Sequence, residues 1–162
     1  MTFDFYGENI FRVFQDNAGG IIRDPEAKPE AQILVNNPRN TVSTLNLNDG
    51  SNLISITTGK IKVEIDKNTS LMKVIDLEKN TVAFEEVEPV LFDKGKVTVT
   101  LKENPNEYFM VAVCRTVRFS HKGKAINIVN ENSWTDGGVA SPAPFYWSTN
   151  GYGMMWYTLR NR

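Results

Sequence analysis

Residues 60 to 66 read "KIKVEID", with Ile61, Val63 and Ile65 alternating with Lys60, Lys62 and Glu64. A period of two puts every second side chain on one side of an extended strand, so this segment has one apolar face and one charged face. The pattern recurs along the chain. "TFDFY" aligns Phe3 with Phe5, and "NIFRVFQ" aligns Phe11, Val13 and Gln15. "AQILV", "LMKVIDL", "TVAFEEV", "KVTVTL", "YFMVAV", "AINIV", "PFYWS" and "GMMWYTL" continue the series, and "LISITTGKIKVEID" reads as one long alternating stretch. Between them stand "DNAGG", "DKNTS", "EKN", "DKG", "ENPNE" and "SHKGK", whose Asp, Asn, Ser and Gly supply turn conformations. "RDPEAKPE" is a polar loop with room for one helical turn before Pro29 stops it. No segment sustains the i, i+3, i+4, i+7 pattern of a helix. Short strands about ten residues apart with turn signals between them predict an all-β fold, an antiparallel β-sandwich. No internal repeat or linker divides residues 1–162, so a single domain is expected.

Composition narrows the functions available. The net charge is −1, from 18 basic and 19 acidic residues spread along the chain. Nucleic acid and anionic membranes both require a concentrated basic surface, so neither is an expected partner. One cysteine, Cys114, allows no internal disulfide, and one histidine, His121, leaves little for metal or cofactor chemistry. No cluster has metal-ligand spacing, no Ser lies in a G-x-S-x-G turn, and no glycine-rich loop leads into a helix, so no cofactor is expected. No apolar run reaches the roughly 20 residues of a membrane span. Met1 is followed at once by "TFDFY", so no signal peptide is visible and the start reads as a cut inside a domain.

Residues 134–153, "WTDGGVASPAPFYWSTNGYG", combine aromatic rings with backbone breakers. Rings beside flexible backbone and a carboxylate suit sugar recognition: a pyranose C–H face packs on an indole while polar groups take the hydroxyls. Trp134 and Asp136 lie in the glycine-rich half and form the candidate exposed pair; the plainer reading of Asp136 before Gly137 and Gly138 is a turn former. Phe145, Tyr146 and Trp147 lie on a strand, where at least one ring belongs to the core. Glu85, Glu86 and Glu88 raise the thought of glycosidic acid–base chemistry, but Glu86 and Glu88 share one strand face, and a solvated face is the expected explanation.

The segment "RFSHKGKAINIVNENSWTDGGVASPAPFYWSTNGYGMMWYT" closely resembles the N-terminal β-sandwich of glycoside hydrolase family 31, the α-glucosidase and α-xylosidase family. "FYGENIFRVFQD" and "ISITTGKIKVEIDK" resemble the same domain, so the likeness spans almost the whole chain. It implies a galactose-mutarotase-like supersandwich leaning on a (β/α)8 barrel that supplies both catalytic aspartates and is expected after Arg162. No catalytic residue is therefore assigned to this chain, which is expected to be inactive alone. The resemblance implies that the loop from Trp134 to Pro144 reaches over the barrel mouth. Asp136 is then the candidate to bind a hydroxyl of an α-linked oligosaccharide, alongside Trp134, Gly137 and Gly138. His121, in the neighbouring "FSHKGK", joins them as a candidate, with a surface or capping role as its alternative.

One departure stands out. Relatives read "YGGGMQNG" where this chain has "MVAVCRTV", Met110 to Val117. Codons for the former, read one base later, spell the latter residue for residue. A compensated frameshift is one expectation and an ordinary buried strand the other; the DNA across this window decides between them. Two other functions remain in view: a stand-alone carbohydrate-binding module, and an aldose mutarotase, for which one histidine supplies too few acid–base groups. Phe145, Trp147, Met154, Met155 and Trp156 are expected to form an apolar patch that meets the barrel or favours self-association.

Overall fold

Asp66 and Asp76 end consecutive strands and build the same turn. Asp66 Oδ1 accepts the backbone N–H groups of Asn68 and Thr69, both at 2.8 Å. Asp76 Oδ1 accepts those of Glu78 and Lys79, both at 3.0 Å. In each case the residue four places on turns left-handed, Ser70 at φ 61° and Asn80 at φ 52°. These local bonds hold both aspartates below the usual carboxylate range, led by the N–H of Thr69 for Asp66 and of Lys79 for Asp76. Glycine adopts this conformation without the steric cost that serine bears. Ser70→Gly is therefore expected to raise stability by about 0.5–1 kcal/mol. Urea unfolding checks this; a lower midpoint for the variant would contradict it.

The computed structural model describes residues 1–15, 42–94, 96–111, 122–123 and 145–156. Its strands are β1 (Thr2–Gly7), β2 (Ile10–Phe14), β3 (Asn46–Asp49), β4 (Leu53–Thr57), β5 (Ile61–Asp66) and β6 (Met72–Asp76). There follow β7 (Thr81–Asp93), β8 (Lys96–Leu101), β9 (Phe109–Val111), β10 (Phe145–Ser148) and β11 (Gly153–Met155). Every strand pairing among the described residues is antiparallel, and none of these residues is helical. The all-β sandwich class is the one the alternation predicts. Two compact units are present, Met1–Lys102 and Glu103–Arg162.

In the first unit, β3 to β8 form a six-stranded sheet in chain order. Register aligns Leu47, Ile56, Val63, Val74 and Phe84 across five strands, and Ile54, Ile65 and Met72 in the neighbouring row. This apolar face carries the buried core residues Ile61, Val63, Met72 and Val74, with Val63 fully inaccessible. On the opposite face, Glu64 bonds Lys62 at 2.6 Å and Lys73 at 2.9 Å. These two lysines, Lys62 first, lower the Glu64 pKa.

Three features depart from simple alternation. "LISITTGKIKVEID" is two strands, because Thr58 Oγ1 accepts the N–H groups of Lys60 and Ile61 at 3.2 and 3.0 Å and turns the chain. Strand β7 runs through Pro89, which sits where the register with β8 shifts and where no ladder N–H is required. Finally, Glu86 does not lie on a solvated face with Glu88: it is 5% exposed, whereas Glu88 is exposed. The register shifts between Val74 and Ile75, so Ala83 is the extra residue on β7. Glu86 then follows Phe84 on the core side. A second shift, against β8 between Glu86 and Glu88, leaves Val87 as the extra residue and breaks the alternation that would have put the two glutamates on one face.

The β1–β2 hairpin makes its own sheet. The Glu8 carboxylate at its turn accepts Ser43 N at 2.7 Å, Ser43 Oγ at 2.6 Å and Gly59 N at 2.6 Å. These donors, the Ser43 hydroxyl foremost, depress its pKa and tie the hairpin to the β4–β5 turn.

Candidate functional site

The unit Glu103–Arg162 contains the strand that follows the proposed sugar loop. β10 is the centre of a three-stranded sheet between β11 and β9. Trp147 pairs with Gly153 and Met110, Tyr146 with Met154 and Val111, and Ser148 with Phe109. Alternation therefore divides the aromatic residues between two faces.

One face carries Met110, Phe145, Trp147 and Met155. Trp147 is 39% exposed, and its indole N–H donates to Met110 Sδ at 3.1 Å, which fixes the orientation of the ring. The Phe145 and Trp147 ring centroids are 6.1 Å apart. A side chain at Gly153 would place its Cβ 2.8 Å from Phe145 Cζ, so glycine there leaves room for the Phe145 ring. Met154, expected in the same apolar patch, lies on the other face because it pairs with Tyr146. Trp156 is half-buried.

The other face is closed over a polar centre. Glu107 is 1% exposed and Ser148 4%. The Ser148 hydroxyl donates to Glu107 Oε1, while Asn104 N and Nδ2 donate to Glu107 Oε2 at 3.3 and 3.4 Å. Ser148 Oγ in turn accepts Asn150 N at 3.0 Å. Tyr146 and Tyr152 meet edge-to-face at 6.1 Å. The Tyr152 hydroxyl bonds with Tyr146 and Glu107, and its pKa is driven up by burial first and then by these neighbours. Burial likewise raises Tyr146. Both phenols thus stay protonated donors across the working pH range.

Two turns are fastened around this centre. Thr149 N donates to Tyr108 O at 3.1 Å, and Tyr108 N to Thr149 Oγ1 at 3.1 Å. Lys122 Nζ donates to the carbonyls of Asn104 and Pro105 at 3.0 and 2.8 Å and pairs with Glu103 at 2.8 Å. Gly123 follows at φ 68°, a conformation suited to glycine. Lys122 and Gly123 are thus tied to the turn that presents Glu107.

Trp134, Asp136, Gly137, Gly138 and His121 lie outside the described residues, as do residues 112–117 of the "MVAVCRTV" segment. What the structure describes is the neighbouring anchorage, β10 and the turns packed around it. Sequence reasoning missed Glu107, whose "ENPNE" setting reads only as a turn, and Ser148, which reads as the end of the "PFYWS" strand. Among the described residues no group of three or more His, Cys, Asp or Glu converges as a metal site. The polar centre is sealed, so its chemistry is that of a structural knot.

The family model for the glycosyl hydrolase 31 N-terminal galactose mutarotase-like domain matches residues 1–161. The chain belongs to this family. Among solved structures, the family 31 α-xylosidase of Xanthomonas citri is similar over 70% of this chain, with a TM-score of 0.53 and 15% identity. At that identity the likeness concerns the fold. This glycosyl hydrolase 31 N-terminal domain spans 13% of the xylosidase chain. No curated protein matches it.

Proposed function

We propose that this domain forms one wall of the sugar pocket of an α-glucosidase-type glycoside hydrolase, with the catalytic carboxylates on a barrel outside these 162 residues. The family match over residues 1–161 carries the reading. Support comes also from β10, which begins directly after the 134–144 segment and is pinned by Ser148 to the buried Glu107. A fixed strand after a glycine-rich loop limits the positions its ring and carboxylate can take, which reduces the ordering cost of binding. The substrate class is an α-linked glucoside or xyloside, with Trp134 stacking on a pyranose and Asp136 accepting from a hydroxyl.

The chain by itself is expected not to hydrolyse an aryl α-glucoside. Turnover well above a blank, in a preparation free of host glycosidase, would refute the assignment of catalysis to a separate barrel. A second reading, a stand-alone carbohydrate-binding module, draws on the exposed Trp147 beside Phe145. Titration with maltose or isomaltose, followed by Trp fluorescence, separates the two. Half a pocket binds no tighter than about millimolar, roughly −4 kcal/mol; micromolar affinity without a barrel favours the module.

A further inference from the structure

We propose that Glu86 is a pH-operated latch in the sheet of the first unit: its neutral carboxyl closes the seam between the start of β6 and the middle of β7, and its ionisation favours opening that seam. The geometry is specific. The last ladder pair between these strands is Lys73 with Glu85, so Met72 stands at the open end of the pairing. Glu86 Oε2 accepts Met72 N at 2.8 Å, a side chain continuing what backbone pairing has left unfinished. Immediately beyond, β7 transfers its pairing to β8, with Glu86 opposite Leu101.

The carboxyl is nearly inaccessible and has Met72 and Leu101 for neighbours across the two seams. Among the described residues it has no ion-pair partner. The charges on adjacent strands are engaged elsewhere: Lys73 with Glu64 at 2.9 Å, and Glu85 with Lys102 at 3.0 Å. Asp66 caps the β5–β6 turn, and Glu88 accepts the Thr100 hydroxyl at 3.1 Å. A buried carboxylate with one N–H donor and no cation loses more hydration than that single bond returns. Desolvation accordingly raises the Glu86 pKa against the opposing effect of Met72 N–H.

The sign follows from linkage. Between the pKa of an unfolded glutamate, about 4.3, and the raised folded value, the folded chain holds a proton that the unfolded chain has released. The Glu86 contribution is fully present below the unfolded value and is lost as pH rises through the folded value. Opening the seam lets water reach the carboxylate, so opening becomes more frequent in the same direction.

The test compares the chain with Glu86→Gln by urea unfolding from about pH 4 to pH 8. The folding constant of the parent, divided by that of the variant, is expected to fall by up to about tenfold per pH unit within the window and then level off. Met72 amide exchange, corrected for intrinsic base catalysis, should accelerate over the same range. Carbon-13 titration of the Glu86 carboxyl in the parent provides a readout even if the glutamine variant fails to fold. A Glu86 midpoint at or below the ordinary glutamate value, or a flat ratio across the range, overturns the latch.

Discussion

Glu107→Ala is expected to lower the stability of the Glu103–Arg162 unit by about 3 kcal/mol. The carboxylate is 1% exposed and takes the Ser148 hydroxyl on one oxygen and two donors of Asn104 on the other. Alanine leaves these donors facing a void, and each unsatisfied buried group costs about 1–3 kcal/mol, partly relieved where the turn can admit water. Glu107→Gln keeps the shape and one acceptor but presents an NH2 where donors already converge, so it should recover only part of the loss. Denaturant unfolding followed by Trp fluorescence measures both variants. Ultraviolet titration of the tyrosines adds a specific readout, because the Glu107 charge helps hold the Tyr152 pKa up. Removing that charge should bring Tyr152 ionisation to lower pH. An alanine variant within about 0.5 kcal/mol of the parent would show that the buried carboxylate does not hold the two turns together.

The same contacts explain what could and could not be read from the amino-acid string. The β5–β6 and β6–β7 turns were legible because Asp66 and Asp76 act on N–H groups two and three residues away. Alternation in "KIKVEID" was legible because a buried face, carrying Ile61 and Val63, imposes a period of two. β3 was not: "NLND" is short and exposed throughout, so no core face imprints its pattern. The Thr58 turn was hidden because its hydroxyl bonds look, in sequence, like two more polar strand positions. Glu86 was misplaced for a similar reason, since a single extra residue at Val87, between it and Glu88, puts the two glutamates on different faces. Glu107 depends on Ser148, 41 positions away, and no local signal carries that partnership. The sugar-binding candidates rest on resemblance to the family, which names a loop and leaves its geometry to be measured.

In a polypeptide that joins this domain to its barrel, Asp136→Ala is expected to reduce kcat/KM for maltose by about 10- to 100-fold. That range corresponds to losing a hydrogen bond between a charged acceptor and a sugar hydroxyl, about 1.5–3 kcal/mol. If Asp136 binds ground state and transition state alike, the loss falls on KM; if the bond tightens as the glycosidic bond breaks, it falls on kcat. Trp134→Ala should act in the same direction through lost stacking. Trp147→Ala is the control on the neighbouring strand: its ring is bonded to Met110 on β9, and kcat/KM is expected to be retained when that ring is removed if the 134–144 loop carries the recognition. A barrel-bearing Asp136→Ala enzyme that folds normally and stays within twofold of the parent would remove Asp136 from the pocket. The same outcome with a large loss from Trp147→Ala would move sugar recognition from the loop to the outer face of β10, where Phe145 and Trp147 lie side by side.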